Sequence, residues 1–559
     1  FQSSIYRGEV QIETAENTWV IDTYSEENGE ITEQIGRSST AALIWNQIFK
    51  LEVYTLLLVA CFSIIWVVAR KVLRSPEKAK GWLKRNKGKL TYAFIATVSF
   101  IFMTCFSDHT SFWGDELLQI NFSNGTIQEA IQFCLQMNDA TPPLFTIIAT
   151  LLYSIIPYGE QWLLLLSIIP TALGIYLIGV IGSKLYSNYV GLLAELLCVC
   201  STTVYHYVAF EFRAYAFLFF FSILTFYLYI RRNEEKNLSK RYGVLLGVCM
   251  AFLTMSHYFG MIACGIYFLS DIYLSIKNKM KFKSMIIYLI PGLVSVSWLI
   301  LIYVTTLRYR ETSSIASWYP VPGISQIENL LQFLTGNQEI GMILLAVGIA
   351  SSIVIVWEKR KEFNWKNFYN IFLIGNLFIT VSLLVLYGNI INQESTMWQN
   401  RYFIFLIPFV VLLSAVSLAK IHDISLNRII CIAICIVLGI NCTVYVSTET
   451  SSSPFRQSAD WIYSHGKYIY DTDSMVIFTA GRNIVEGWSE YYVMRKGRRD
   501  PLNIKYQLDI HSKDLSSYNK IYLNYIANEP IAWLDEYLDS NFILEENNSH
   551  VRVSVYVRK

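Results

Sequence analysis

The chain has 559 residues, of which 53% are hydrophobic, 15% aromatic and only 16% charged, and its formal net charge is +2. Apolar residues gathered into long runs on a chain of this size describe a multi-span membrane protein, and a charge near zero gives nucleic acid no electrostatic footprint. Ten cysteines sit almost entirely inside the apolar runs and the tail 451–559 has none, which excludes a secreted disulfide framework and a CxxC zinc site.

The numbered chain opens on Phe1, so the reading places its start inside a longer gene product or after processing. Residues 1–50 form a polar segment in which "EVQIE" and "TWVIDTY" read as strands. Twelve spans follow, over 51–73, 90–106, 161–181, 190–207, 212–230, 242–259, 260–276, 285–304, 339–357, 368–388, 402–419 and 428–446. Each is near the ~20 residues that a helix needs to cross the hydrocarbon. The run 143–157, "PLFTIIATLLYSIIP", is shorter and bracketed by prolines. It reads as a helix on the membrane surface. The tail 447–559 reads as a small α/β domain, with strands at 474–481 and 520–528, helices at 483–494 and 530–540, and a final strand in "HVRVSVYVRK".

Lysine and arginine set the orientation. The basic segments 70–89, 231–241, 277–283 and 358–366 fall on one side, whereas 107–160 contains neither residue. With 143–157 lying on the surface, all the basic loops are cytoplasmic. The expected architecture is therefore an α-helical polytopic cell-membrane protein in three parts. These are an extracytoplasmic segment 1–50, a transmembrane domain 51–446 and an extracytoplasmic α/β domain 447–559.

The polar residues gather at outer helix ends. Asp115 and Glu116 follow the second span in "SFWGDELL", and Asp139 lies in "MNDATPPLF". "HYVAFEFRAYAF" carries Glu211, Arg213 and Tyr215, "MSHYFG" carries His257, and "WQNRYFIFLIP" carries Arg401. Singly, each has a plain explanation. The acids suit a helix start, the arginines can snorkel, His257 can end a helix, and Asp139 can cap a turn before Pro142 and Pro143. Jointly, ionisable groups at one membrane face are costly and mark a site. Carboxylates would accept a proton from a nucleophile there and cations would steady a departing anion. Glu195 and Asp271, inside spans, have no partner visible in the sequence.

The ordered set "WGDE", "DATPPLF", "FEFRAYAF", "SHYFG" and "NRYFIFLIP" resembles the membrane-embedded glycosyltransferases of the C superfamily, in particular bacterial relatives of protein O-mannosyltransferases and aminoarabinose transferases. The likeness runs over about 90–559. Span 51–73 and residues 1–50 are additions to the family pattern, and Thr141-Pro142-Pro143 stands where relatives often have an acid or His-Pro-Pro.

The resemblance implies a polyprenyl-phosphate sugar donor. It also implies a glycan, lipid or protein acceptor attacking with inversion, in a site at the lipid surface. Asp115 becomes the candidate base, with Glu116 as its partner or substitute. Arg213, Tyr215, His257 and Arg401 become candidates for the lipid phosphate, and Asp139 with His257 for a divalent metal ion. The loop 305–338, with Trp318, Tyr319 and Pro320, and with Tyr309 and Arg310 at its start, becomes a lid. A transporter or flippase of lipid-linked sugars, a non-catalytic assembly protein and a polymerase of lipid-linked glycans are the rival classes. A transporter is expected to show paired halves and broken helices at the midplane instead.

Overall fold

The structure is a computed structural model. It describes residues 21–27, 30–35, 76–107, 111–136, 141–153, 155–156, 158–234, 239–309, 320–336, 338–358, 363–391, 398–419, 424–448, 454–465, 473–479, 482–494, 504–506, 515–525 and 532–559. The strand expected in "EVQIE", the span 51–73, Asp139, Arg310, Trp318 and Tyr319 lie outside the described residues. From the N-terminal segment, β1 (Ile21–Glu27) and β2 (Glu30–Ile35) pair as an antiparallel hairpin.

Helix α1 (Pro76–Phe106) is longer than the expected span. It begins on proline, whose missing N–H costs nothing in a first turn, and draws the basic stretch after it into the helix instead of leaving it as a loop. Three short helices then lie at one rim: α2 (Gly114–Ser123), α3 (Ile127–Gln136) and α4 (Leu144–Tyr153). At 10 residues, α4 is about 15 Å long and cannot cross a bilayer. This agrees with its reading as a surface helix. One side of α4 is buried, and Gln119 of α2 donates to Thr146 Oγ1 at 3.2 Å.

The bundle continues with α5 (Glu160–Leu185), α6 (Asn188–Val199), α7 (Tyr215–Glu234), α8 (Ser239–Ser256), α9 (Tyr258–Ile276) and α10 (Leu289–Tyr309). The expected span 190–207 is not one helix. α6 stops after 12 residues, and a π-helical turn, Val204–Ala209, follows it. The cause is tertiary. Thr202 and Thr203 donate to the carbonyls of Gly336 and Phe333 at 2.7 and 2.6 Å, which draws the backbone out of the α-helical ladder.

Next come α11 (Ile324–Leu334), α12 (Glu339–Glu358) and α13 (Trp365–Leu386). A 3₁₀ turn, Asn400–Leu406, leads into α14 (Ile407–Ala419), and α15 (Ile424–Thr448) closes the bundle. Among the described residues, eight helices are long and apolar enough to cross a membrane, so the chain is a multi-pass membrane protein.

Helices α5, α7 and α9 run the same way. Tyr215, at the start of α7, lies beside His257, the N-cap of α9, with ring centroids 6.1 Å apart. Their far ends meet through the Arg232–Asp271 ion pair at 2.7 Å, and Lys184 of α5 joins Glu234 of α7 at 2.5 Å. Asp271 therefore has a partner after all. Tyr288 also donates to it at 2.9 Å.

The tail folds as α16 (Phe455–His465), β3 (Ser474–Phe478), α17 (Arg482–Trp488), β4 (Ile504–Tyr506), β5 (Lys520–Asn524), α18 (Ala532–Asn541), β6 (Phe542–Asn548) and β7 (Val553–Arg558). Its five strands are ordered β4-β3-β5-β7-β6. The β3 pairings are parallel and the β7 pairings antiparallel. This domain sits on α2. A Cβ at Gly487 would lie 2.0 Å from the Leu117 carbonyl oxygen, so only glycine lets α17 come this close.

Candidate active site

The site is built around the first turn of α2. Its N-cap, Trp113, has no side-chain acceptor suited to capping, and Glu116 reaches back from the third helical position to accept the Trp113 N–H at 3.0 Å. The other oxygen of Glu116 accepts the Phe212 N–H at 2.6 Å. Glu116 is buried, with both oxygens held by backbone, and so ties α2 to the turn between the π segment and α7. Burial, and secondarily Glu211, push its carboxyl well above the usual range, against the pull of the two N–H groups and Arg213.

Asp115, one residue earlier, is held differently, although both residues line the same cavity. Its carboxylate is 30% exposed and pairs with Arg401 at 3.0 Å. Its carbonyl accepts from Arg213 Nη1 at 3.2 Å. Arg401 also lies over the rings of Trp113 and Tyr215, at 5.0 and 5.8 Å from their centroids, where the ring faces favour a cation. Two arginines from distant segments thus converge on one short loop.

In front of them opens a cavity of about 600 Å³. Asp115, Glu211 and Arg401 line it with Trp113, Trp398, Tyr207 and Phe210, and Gln326, Asn329 and Phe333 of α11 lie across from them. Pro320, from the expected lid, is also on the wall. Within the expected loop 305–338, Ile324–Leu334 is a helix, with Gln326 capping it from the third position.

Of the expected phosphate set, Arg401 lies on the cavity wall, whereas Arg213, Tyr215 and His257 do not; these three are buried. His257 Nδ1 accepts the Phe259 N–H at 3.2 Å, which leaves the proton on Nε2. Burial, then Arg213 and Arg401, lower its pKa to about 3, so it is neutral at physiological pH. Among the described residues, no three His, Cys, Asp or Glu side chains converge to hold a metal ion.

Glu160, Arg456 and Tyr492 were not singled out in the sequence, yet they brace the site loop. The Tyr492 hydroxyl accepts the Phe112 N–H at 2.9 Å and donates to Glu160 at 3.0 Å, and Arg456 pairs with Glu160 at 3.2 Å. Arg456 and Tyr492 are polar residues in a polar tail, and Glu160 opens α5 as an acid at a helix start, so none carries a signal that sets it apart.

A family model described as dolichyl-phosphate-mannose-protein mannosyltransferase matches residues 140–303. Among solved structures, apo ArnT from Cupriavidus metallidurans aligns with a TM-score of 0.52 at 11% identity, covering 86% of this chain and 98% of its own. The archaeal oligosaccharyltransferase AglB from Archaeoglobus fulgidus, in complex with an inhibitory peptide and a dolichol-phosphate, aligns at 0.47 and 11% identity, over 86% of this chain and 75% of that one. No curated protein matches the sequence at a significant level. The chain thus shares its overall fold with ArnT, and its segment 140–303 matches the mannosyltransferase family model.

Proposed function

We propose that the protein moves a sugar from a polyprenyl-phosphate donor to an acceptor hydroxyl, with inversion, on the extracytoplasmic side of the cell membrane. The observation that carries this reading is the pairing of Asp115 with Arg401 on the wall of a 600 Å³ cavity, with Arg213 bonded to the same loop. Asp115 is the general base. The acceptor hydroxyl gives its proton to the Asp115 carboxylate as its oxygen bonds to the anomeric carbon. The bond from that carbon to the phosphate oxygen breaks, and the polyprenyl phosphate leaves with the electron pair. Arg401 and Arg213 offset the charge that develops on it.

The ion pair seen here is a resting arrangement. A donor phosphate competes for Arg401 and frees the Asp115 carboxylate to face the acceptor. Glu116, fixed by two backbone N–H groups, holds the loop. His257 and Tyr215 pack behind Arg401 and set its position. A divalent ion on Asp139 and His257 would act as a Lewis acid on the phosphate. Asp139 lies outside the described residues, so no step is routed through such an ion.

The test is to incubate purified protein with a panel of polyprenyl-phosphate sugars and follow donor consumption. Asp115→Asn is expected to lower turnover about 10²–10⁴-fold and to leave the melting temperature and donor binding near wild type. Full activity in Asp115→Asn removes the base assignment, and wild-type indifference to the whole panel removes the donor class.

A further inference from the structure

Asp115, Glu116 and Glu211 all line the cavity, and Glu211 has no place in the step above. It is only 5% exposed, and one of its oxygens, Oε2, has no hydrogen-bond partner among the described residues. A buried carboxyl with an unmet oxygen costs stability unless something arrives to meet it. The turn that carries it is held firmly. Ser167 of α5 donates to the Glu211 carbonyl at 2.7 Å, Glu116 holds the Phe212 N–H, and the Arg213 guanidinium is bonded to the Asp115 carbonyl. The side chain is therefore placed by backbone anchors on both sides, as a substrate-facing group requires.

We propose that Glu211 is the neutral acid of the site, donating a hydrogen bond to the donor phosphate and handing it the proton as the sugar departs. This rests on the polyprenyl-phosphate reading above. As the bond between the anomeric carbon and the phosphate oxygen breaks, the Glu211 proton passes to a phosphate oxygen and the lipid leaves as the hydrogen phosphate. Asp115 takes up the acceptor proton in the same event. One proton enters the site and one leaves it, and water restores both carboxyls.

The surroundings support this assignment. The titratable and charged groups near Glu211 are Asp115 and Glu116 from α2, Arg213 and Tyr215 from its own turn and α7, and Arg401 from the 3₁₀ turn, and from α5 the Ser167 hydroxyl holds its backbone carbonyl. Burial pushes its pKa up to about 8, Asp115 adds to this, and the two arginines only partly oppose it. At pH 7 the proton is thus in place. A site that bound the phosphate with arginines alone would have no reason to bury a third carboxyl beside them.

The experiment measures affinity for a C20 polyprenyl monophosphate in detergent between pH 7.5 and 9.5, a range in which the probe itself has finished ionising. Wild-type affinity is expected to fall about tenfold per pH unit above 8. Glu211→Gln, which keeps a donor but has no proton to lose, is expected to bind with a flat profile, and Glu211→Ala to bind weakly at every pH. A Gln variant that keeps the wild-type slope, or a wild type with no slope, overturns the role of Glu211 while leaving the donor class standing. A wild type that binds no polyprenyl phosphate at any pH overturns the functional reading itself, and this one with it.

Discussion

Asp115 and Glu116 are adjacent in sequence and do opposite work because a helical first turn points consecutive side chains about 100° apart. One carboxylate meets a cavity and a guanidinium, the other a pair of backbone N–H groups. His257 shows the same economy, capping α9 with Nδ1 while burial, helped by two arginines, keeps its ring uncharged. Its folded pKa of about 3 lies below the ordinary 6.5. The native state therefore resists a proton that the unfolded chain accepts. The stability tied to this group is complete above pH 6.5 and is lost as pH falls from there toward 3. In His257→Asn, where the amide oxygen can still cap α9, the acid-side loss of stability between pH 6.5 and 4 should be shallower by up to ~1.4 kcal/mol per pH unit. Melting curves of wild type and variant across that range check it, and parallel slopes would show that His257 is already protonated in the fold.

At the scale of elements, hydropathy made most of the bundle legible. The expected spans 161–181, 212–230 and 368–388 fall within or along α5, α7 and α13 to within a few residues. It failed where a long-range bond outweighed local pattern. The run 190–207 is apolar throughout, and nothing in it announces that Thr202 and Thr203 reach across to the end of α11. The site was legible as a set of residues, since charge in an oily chain stands out, but not as a set of pairs. Arg401 meets Asp115 across 286 positions, and Asp271 meets Arg232 across 39. That second pair pins α7 to α9 with both side chains almost fully buried. Removing one partner leaves the other charged in an apolar interior, so Asp271→Leu is expected to cost about 3–5 kcal/mol. The double replacement Arg232→Met with Asp271→Leu should recover most of it. Thermal denaturation in detergent of the two single variants and the double one measures the coupling, and an additive result would mean that the pair does not hold the helices together.

Across the whole molecule, the two rims carry different chemistry. The rim of Arg232, Asp271, Lys184 and Glu234 is closed by ion pairs, whereas the other opens into the cavity and is covered by the tail domain. That domain bears on the site loop at two points, the Tyr492 hydroxyl and the Arg456 N–H, which donates to Ser111 Oγ at 2.9 Å. Tyr492 is fully buried, accepts the Phe112 N–H and donates to Glu160, which in turn holds Arg456 of α16. Phe112 lies three residues before Asp115, so the domain fixes the approach of the loop on which the proposed base sits. Tyr492→Phe deletes the hydroxyl and leaves the Phe112 N–H and a Glu160 oxygen each short of a partner, at a cost of about 1–3 kcal/mol. Arg401 and Arg213, which reach the loop from the bundle, are untouched. On the proposed mechanism the variant should lose turnover while its KM for a polyprenyl-phosphate donor stays near wild type, because only the placing of the proposed base has loosened. Initial rates over a range of donor concentrations separate the two constants. A fall in melting temperature with both constants unchanged would reduce the domain to a passive cover over the site.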